Sequence, residues 1–227
     1  MVKNQEDKGE NHNVKKNNMS DKLNIHEEGD GLITIASSSG IGKTTVMCCS
    51  VVEAYLDGKN ILYLTDSDNE NNILKRFQNP PSFLDTDSKN KIHIKRSDDL
   101  KTTLNFLLTE KSFDIIYFDS FNMNNSIAEF LREVSINHSV LIITSVQTRR
   151  EFDSVNIASI IPTKMVQLSN KVYALSIKKD FKILEKLKYF FCFWLKKPNR
   201  RLKIIKNRYG DETSRDLFLD FEKCKIN

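Results

Sequence analysis

The chain has 227 residues, 39% of them hydrophobic and 29% charged, with a net charge of +5. That composition fits a soluble protein with one core and polar tails. It argues against a membrane protein, since no apolar run approaches the roughly 18–20 residues that span a bilayer. Four cysteines (Cys48, Cys49, Cys192, Cys224) show no metal-ligand spacing, so reduced thiols are expected rather than a disulfide framework. His12, His26, His93 and His138 are scattered and suggest no site. The N-terminal residues carry no apolar secretory segment, and a cytoplasmic location is expected. Charge is uneven, because residues 171–227 hold 16 Lys/Arg against 7 Asp/Glu. Such a basic third suits a polyanionic partner or a solvated face equally.

Residues 1–28 read as a disordered polar tail, with Asn-His-Asn and Lys-Lys-Asn-Asn runs and almost nothing to bury. From Leu32 the pattern alternates between strand and helix. Leu32–Ala36 is a buried strand, followed by a glycine-bearing loop and a helix from Lys43 to Leu56 that Asp57-Gly58 stops. On that helix one of Cys48 and Cys49 is expected to pack and the other to face outward. Ile61–Thr65 is a second strand and Asn69–Phe77 a short helix. Pro80-Pro81 opens an irregular stretch, Ile92–Lys95 reads as a short strand, and Asp98 is expected to cap a helix running to Glu110. Ile115–Asp119 and Val140–Ser145 are further strands, with a helix over Ser126–Val134 between them. Near-continuous apolar runs of this kind mark strands covered on both faces, hence a parallel α/β sheet. Val172–Lys178, Leu202–Lys206 and Leu217–Phe221 have little helix between them and predict an antiparallel extension of that sheet. Phe181–Lys197 forms a basic, aromatic insertion, read either as an amphipathic helix or as a strand through Tyr189–Leu195.

The loop Ser37-Ser38-Ser39-Gly40-Ile41-Gly42-Lys43-Thr44 fits the phosphate-binding formula G-x-x-x-x-G-K-[ST], with Ser37 at the first glycine. It stands where that chemistry needs it, after a buried strand and at a helix N-terminus, whose amides hold anions. Lys43 would reach the β- and γ-phosphates, the Thr44 hydroxyl would bind Mg²⁺, and Thr45 continues the loop into the helix. Asp119, at the end of its strand, fits the acidic residue that holds the metal's water shell.

These segments resemble the RecA-like ATPase domain of DnaB-type replicative DNA helicases. The likeness runs from about Leu32 to Phe221, within a single domain placed at 29–225. LITIASSSGIGKTT is similar to that family's first strand and phosphate loop, and GKNILYLT with Asn72–Phe77 to its second strand and helix. FDIIYFDSF is similar to its Walker B strand. The resemblance implies that Gln147, in LIITSVQTRR, senses the γ-phosphate. It also implies that Lys206 and Arg208, in Lys206-Asn207-Arg208-Tyr209-Gly210, reach a neighbouring subunit's nucleotide, where transferred phosphoryl charge must be neutralised. DNA-contacting loops would be Asn122–Asn125 and Thr148–Asn156, the second carrying Arg149 and Arg150.

Three departures stand out, the first being that Phe181–Lys197 resembles no segment of the family. The family's catalytic glutamate falls at Ser67, flanked by Asp66 and Asp68, either of which could polarise the attacking water. Residues 1–30 are too short and polar to supply the family's helical N-terminal domain. The expected function is therefore an ATP- and Mg²⁺-dependent motor domain acting on single-stranded DNA in a homo-oligomeric ring or filament. A recombinase-type ATPase and a weakly active ATP-binding partner of a helicase or replisome are the alternatives.

Overall fold

The computed structural model describes residues 23–27, 29, 31–77, 92–119, 121–148, 161–177, 200–208, 213–217, 219–220 and 225–226. Residues 1–22 of the expected tail, the Pro80-Pro81 stretch, Arg149 and Arg150, and the Phe181–Lys197 insertion lie outside them, whereas Ile25–Glu27, also within the expected tail, form a turn with Ile25 and His26 buried.

A 3-10 turn at Ile25–Glu27 leads into strand β1 (Gly31–Ser38) and helix α1 (Lys43–Leu56). Then follow β2 (Ile61–Thr65), α2 (Glu70–Phe77), β3 (Ile92–Arg96), α3 (Leu100–Glu110), β4 (Ile115–Asp119), α4 (Asn125–His138) and β5 (Leu141–Thr148). The last part holds α5 (Thr163–Leu168), β6 (Lys171–Ile177), β7 (Arg200–Asn207), β8 (Ser214–Leu217), β9 (Leu219–Asp220) and β10 (Lys225–Ile226). Strands β1 to β8 form one sheet in the order β3-β2-β4-β5-β1-β6-β7-β8. The pairings from β3 to β6 are parallel, and β7 and β8 add antiparallel strands at one edge.

The sequence dictates this layering through burial. In β2 and β4 every residue is buried, as strands covered on both faces require. Successive side chains point to opposite faces. Ile33, Ile35, Tyr63, Tyr117 and Ile143 accordingly pack with Val46, Met47 and Val51 of α1 and with Ile73 and Phe77 of α2. Leu32, Ala36, Leu62, Leu64, Ile116 and Ile142 pack on the other side with Leu104 of α3, Leu131 of α4 and Met165 of α5. Each fully buried large side chain contributes about 1.5–3 kcal/mol relative to exposure. In β7, by contrast, burial alternates from Arg200 to Lys203, the signature of an antiparallel strand with one face in water.

Among the described residues most predicted elements are recovered, but the strand expected over Leu217–Phe221 is divided, Leu217 ending β8 and Leu219–Asp220 pairing with β10 outside the main sheet, and three further differences stand out. The cap of α3 is Asp99, whose carboxylate accepts from the Thr102 amide, one residue after the expected Asp98. Cys49 is buried together with Cys48, because α1 is covered by the sheet on one side and flanked by α2 and the 3-10 turn. Helix α5 carried no amphipathic pattern long enough to read; its six residues are held by contacts with α4.

Gly31 shows why one glycine is needed. Its φ is +145°, and a Cβ there would lie 2.0 Å from Asn170 Nδ2. Asn170 in turn donates its amide to the Leu32 carbonyl at 2.7 Å, fixing the entrance to β6 against β1.

Candidate nucleotide-binding site

The parallel register brings the expected site residues of β1, β2, β4 and β5 to one end of the sheet. Ser37 pairs with Gln147 across β1 and β5, and Thr65 pairs with Asp119 across β2 and β4. Ser37, Asp119, Ser145 and Gln147 continue the residue parity of Ile35, Tyr117 and Ile143, so they lie on the face that α1 covers. In open α/β sheets this carboxyl end is where ligands bind.

A cleft of about 300 Å³ opens there, lined by Ser39, Gly40, Gly42, Lys43, Thr44, Thr45, Arg76, Phe121, Ser145 and Gln147. Gly40 and Gly42 have φ of 74° and 112°, which lets the loop curl before α1 starts. The N-cap of α1 is Gly42, with no side-chain hydrogen bond, so the first-turn amides are left for a ligand in the cleft. Ser37 is buried and its hydroxyl donates to the Ser38 carbonyl at 3.0 Å. Ser38 is half-buried, Ile41 and Thr45 are buried, and Thr44 is half-buried on the cleft wall.

Lys43 Nζ donates to the Ser37 and Ser38 carbonyls, each at 3.2 Å. Burial lowers the pKa of its amine, and the negative charge of Asp119 opposes that shift. Asp119 is itself buried, and both carboxylate oxygens are taken: Oδ2 accepts from the Tyr63 hydroxyl at 2.8 Å and Oδ1 from the Ser145 hydroxyl at 2.7 Å. Two fixed donors hold that carboxylate in one orientation, and one of them, Ser145, lines the cleft. Burial first, then the Asp119 charge, raises the Tyr63 phenol well above its ordinary range, so it remains a donor.

The residues around Ser67 arrange unevenly. Ser67 is exposed, while Asp66 and Asp68 are half-buried. Asp68 pairs with Arg76 at 3.3 Å, and its amide meets the Thr65 hydroxyl. Burial raises the Asp66 carboxyl above its usual range, and the charges of Asp119 and Asp98 add to this.

Lys206 and Arg208 lie outside the cleft, at the far end of β7. Lys206 Nζ donates to the Val166 carbonyl and, at 2.8 Å, to that of Gln167; Arg208 donates to the Gln167 carbonyl at 2.7 Å. Both cations therefore sit on the C-terminal carbonyls of α5, where positive charge is favoured. Burial lowers the Lys206 pKa, and neighbouring Arg208 and Arg132 lower it further. In the first expected DNA loop, Asn124 caps α4 by accepting from the Ile127 amide and Asn125 accepts from the Lys164 amide, leaving Asn122 exposed.

Sequence reasoning missed Tyr63, Ser145, Arg76 and Phe121. A polar-tipped aromatic in an otherwise aliphatic strand, two residues before the strand's end, was the available signal for Tyr63. Arg76 carried none, since it looks like any exposed helix-terminal cation.

Among solved structures, the chain is similar to the ATPase domain of G40P, with a TM-score of 0.67 and 14% identity over 87% of this chain and 84% of that one. The chain has the fold of a DnaB-like helicase ATPase domain. A DnaB-like replicative helicase, solved with attention to its interactions with primase, matches with a TM-score of 0.67 and 12% identity. That match covers 86% of this chain and 57% of the longer helicase. No protein-family model and no curated sequence matches. The RecA-like fold thus persists at 12–14% identity. Among the described residues no helix is long and apolar enough to cross a membrane.

Proposed function

We propose that this chain is an ATP-binding motor domain of the replicative-helicase type, coupling ATP hydrolysis at subunit interfaces to binding and translocation of single-stranded DNA. The observation that carries the reading is the cleft walled by the phosphate loop and by Ser145, whose hydroxyl together with that of Tyr63 holds the two oxygens of the buried Asp119 carboxylate. In this reading the loop amides from Ser38 to Thr45 hold the phosphates. Lys43 exchanges the Ser37 and Ser38 carbonyls for phosphate oxygens. The Thr44 hydroxyl and the Asp119 carboxylate form the oxygen donor set that a hard divalent cation needs. A cation of this kind would be held largely by the nucleotide itself and by water. When bound, Mg²⁺ would neutralise charge on the transferred phosphoryl group.

Gln147 is exposed on the cleft wall and lies on the strand that leads to the proposed DNA loop with Arg149 and Arg150. It would report the γ-phosphate to that loop. Lys206 and Arg208 would leave the α5 carbonyls for a neighbouring subunit's nucleotide in a homo-oligomer. Asp66 is the aspartate best suited to polarise water, because Asp68 is already engaged by Arg76.

The test is ATP hydrolysis with and without single-stranded DNA, alongside mass measurement with ATP bound. DNA-stimulated turnover that Arg208→Ala subunits poison when mixed with intact ones is expected. A monomer that binds ATP without turning it over would instead support the second reading, a nucleotide-dependent partner of a larger helicase. Ser67, exposed where the glutamate is expected, favours that alternative.

A further inference from the structure

We infer that Arg200 is a positioning residue of the phosphate loop, holding one loop peptide from strand β7. The inference rests on the reading that this loop binds phosphate. Arg200 belongs to the basic C-terminal third that composition assigns to solvent or to a polyanion. Instead it is only 7% exposed, and its Nε donates to the Ile41 carbonyl at 2.9 Å across 159 residues of sequence. A guanidinium is taken out of water only where its donors are satisfied, so this contact is a specified one.

The consequence follows from peptide geometry. In a planar trans peptide the carbonyl and the following N–H point in opposite directions. Anchoring the Ile41 carbonyl toward β7 turns the Gly42 N–H away from it. Gly42 lines the cleft, whereas Ile41 is buried beneath it. The Gly42 amide is thus aimed at the place a phosphate would occupy. The loop needs such a tie. The 41–42 peptide plane turns on Gly42, whose φ of 112° lies in the region that glycine enters freely, so the backbone preference of an L side chain does not fix it. The helix ladder does not fix it either: its opening bond runs from the Val46 amide to the Gly42 carbonyl, one residue further on. Arg200 also places a positive charge behind the loop without occupying the cleft, since it is not among the lining residues.

The experiment compares the full chain with Arg200→Met, Arg200→Lys and Lys43→Ala. ADP and ATP affinities in Mg²⁺ are measured by calorimetric titration, and amide exchange of the 37–44 peptide is measured without nucleotide. Arg200→Met is expected to weaken ADP and ATP equally, by about tenfold, the size of one lost charge-assisted hydrogen bond. Exchange in the 37–44 peptide should rise while that of β2, β4 and β5 is unchanged, and Arg200→Lys should recover most of both effects. Affinities within twofold of the parent, with unchanged loop exchange, would overturn the inference. So would a general rise in exchange across the sheet that lysine does not rescue, which would mark a merely structural arginine. If Arg200→Met does not fold, Arg200→Lys and the loop exchange still decide. If the parent binds neither nucleotide and Lys43→Ala changes nothing, the nucleotide reading itself fails. The exchange data then judge Arg200 separately.

Discussion

Replacing Tyr63 by phenylalanine removes one hydroxyl and keeps the ring. The ring's edge contact with Phe77 (5.6 Å between centroids) and its stacking on Tyr117 (6.1 Å) survive. What is lost is the 2.8 Å bond to Asp119 Oδ2, made in a site where neither partner reaches water. A hydrogen bond to a charged group contributes about 1.5–3 kcal/mol net, and a buried oxygen left without a donor costs an amount of the same order. We therefore expect Tyr63→Phe to destabilise the chain by about 2 kcal/mol. Urea denaturation should show a lower midpoint with an unchanged slope, and the melting temperature should fall by roughly 4–8 °C for a chain of this size. Ser145→Ala, which removes the 2.7 Å donor to Oδ1, should act similarly, and the double variant should depart from additivity because both bonds act on one carboxylate. A change below about 0.5 kcal/mol for Tyr63→Phe would refute the reasoning, since that is the range of inconsequential surface substitutions. An equal loss in an Asp119→Ala background, where no acceptor remains at that side chain, would show that the hydroxyl serves packing rather than the carboxylate.

Three further outcomes follow from the same geometry. Burial raises both the Tyr63 and Tyr117 phenols above the usual range, so above about pH 10 the unfolded chain binds fewer protons than the folded one and stability falls as pH rises, by up to about 1.4 kcal/mol per pH unit for each tyrosine; urea midpoints at pH 9 and 11 should show this fall, and Tyr63→Phe should make it shallower. Ser67→Glu, at an exposed position, should leave the melting temperature almost unchanged and raise ATP turnover at least tenfold; unaltered turnover would show that the residue at 67 does not limit hydrolysis. Asn124→Ala removes the N-cap of α4 and should cost about 1 kcal/mol in chemical denaturation, with Asn124→Asp nearly neutral.

Much of the fold was written locally. Apolar runs such as Ile61–Thr65 and Ile115–Asp119, short and bounded by polar turns, read as strands covered on both sides, and the glycine-bearing loop between β1 and α1 fits the phosphate-binding formula. The scarcity of helix between the last strand-like segments likewise sets an antiparallel edge apart from the parallel centre. Those signals sit within a few residues of one another, so periodicity and loop chemistry carry them. Lys43 and Asp119 were legible for the same reason, each marked by the element it begins or ends.

What only the tertiary structure decided is which distant groups meet. Tyr63 and Ser145 become the two donors to Asp119 because β2, β4 and β5 bring their ends together, not because anything near those residues announces it. Lys206 and Arg208 rest on the carbonyls of α5, a helix too short to show a period. Arg200, one cation among sixteen in a basic stretch, is buried under the phosphate loop by the pairing of β7 with β6. Charge in a sequence gives no address. The sheet supplies it, by fixing which carbonyl or carboxylate each charged side chain reaches.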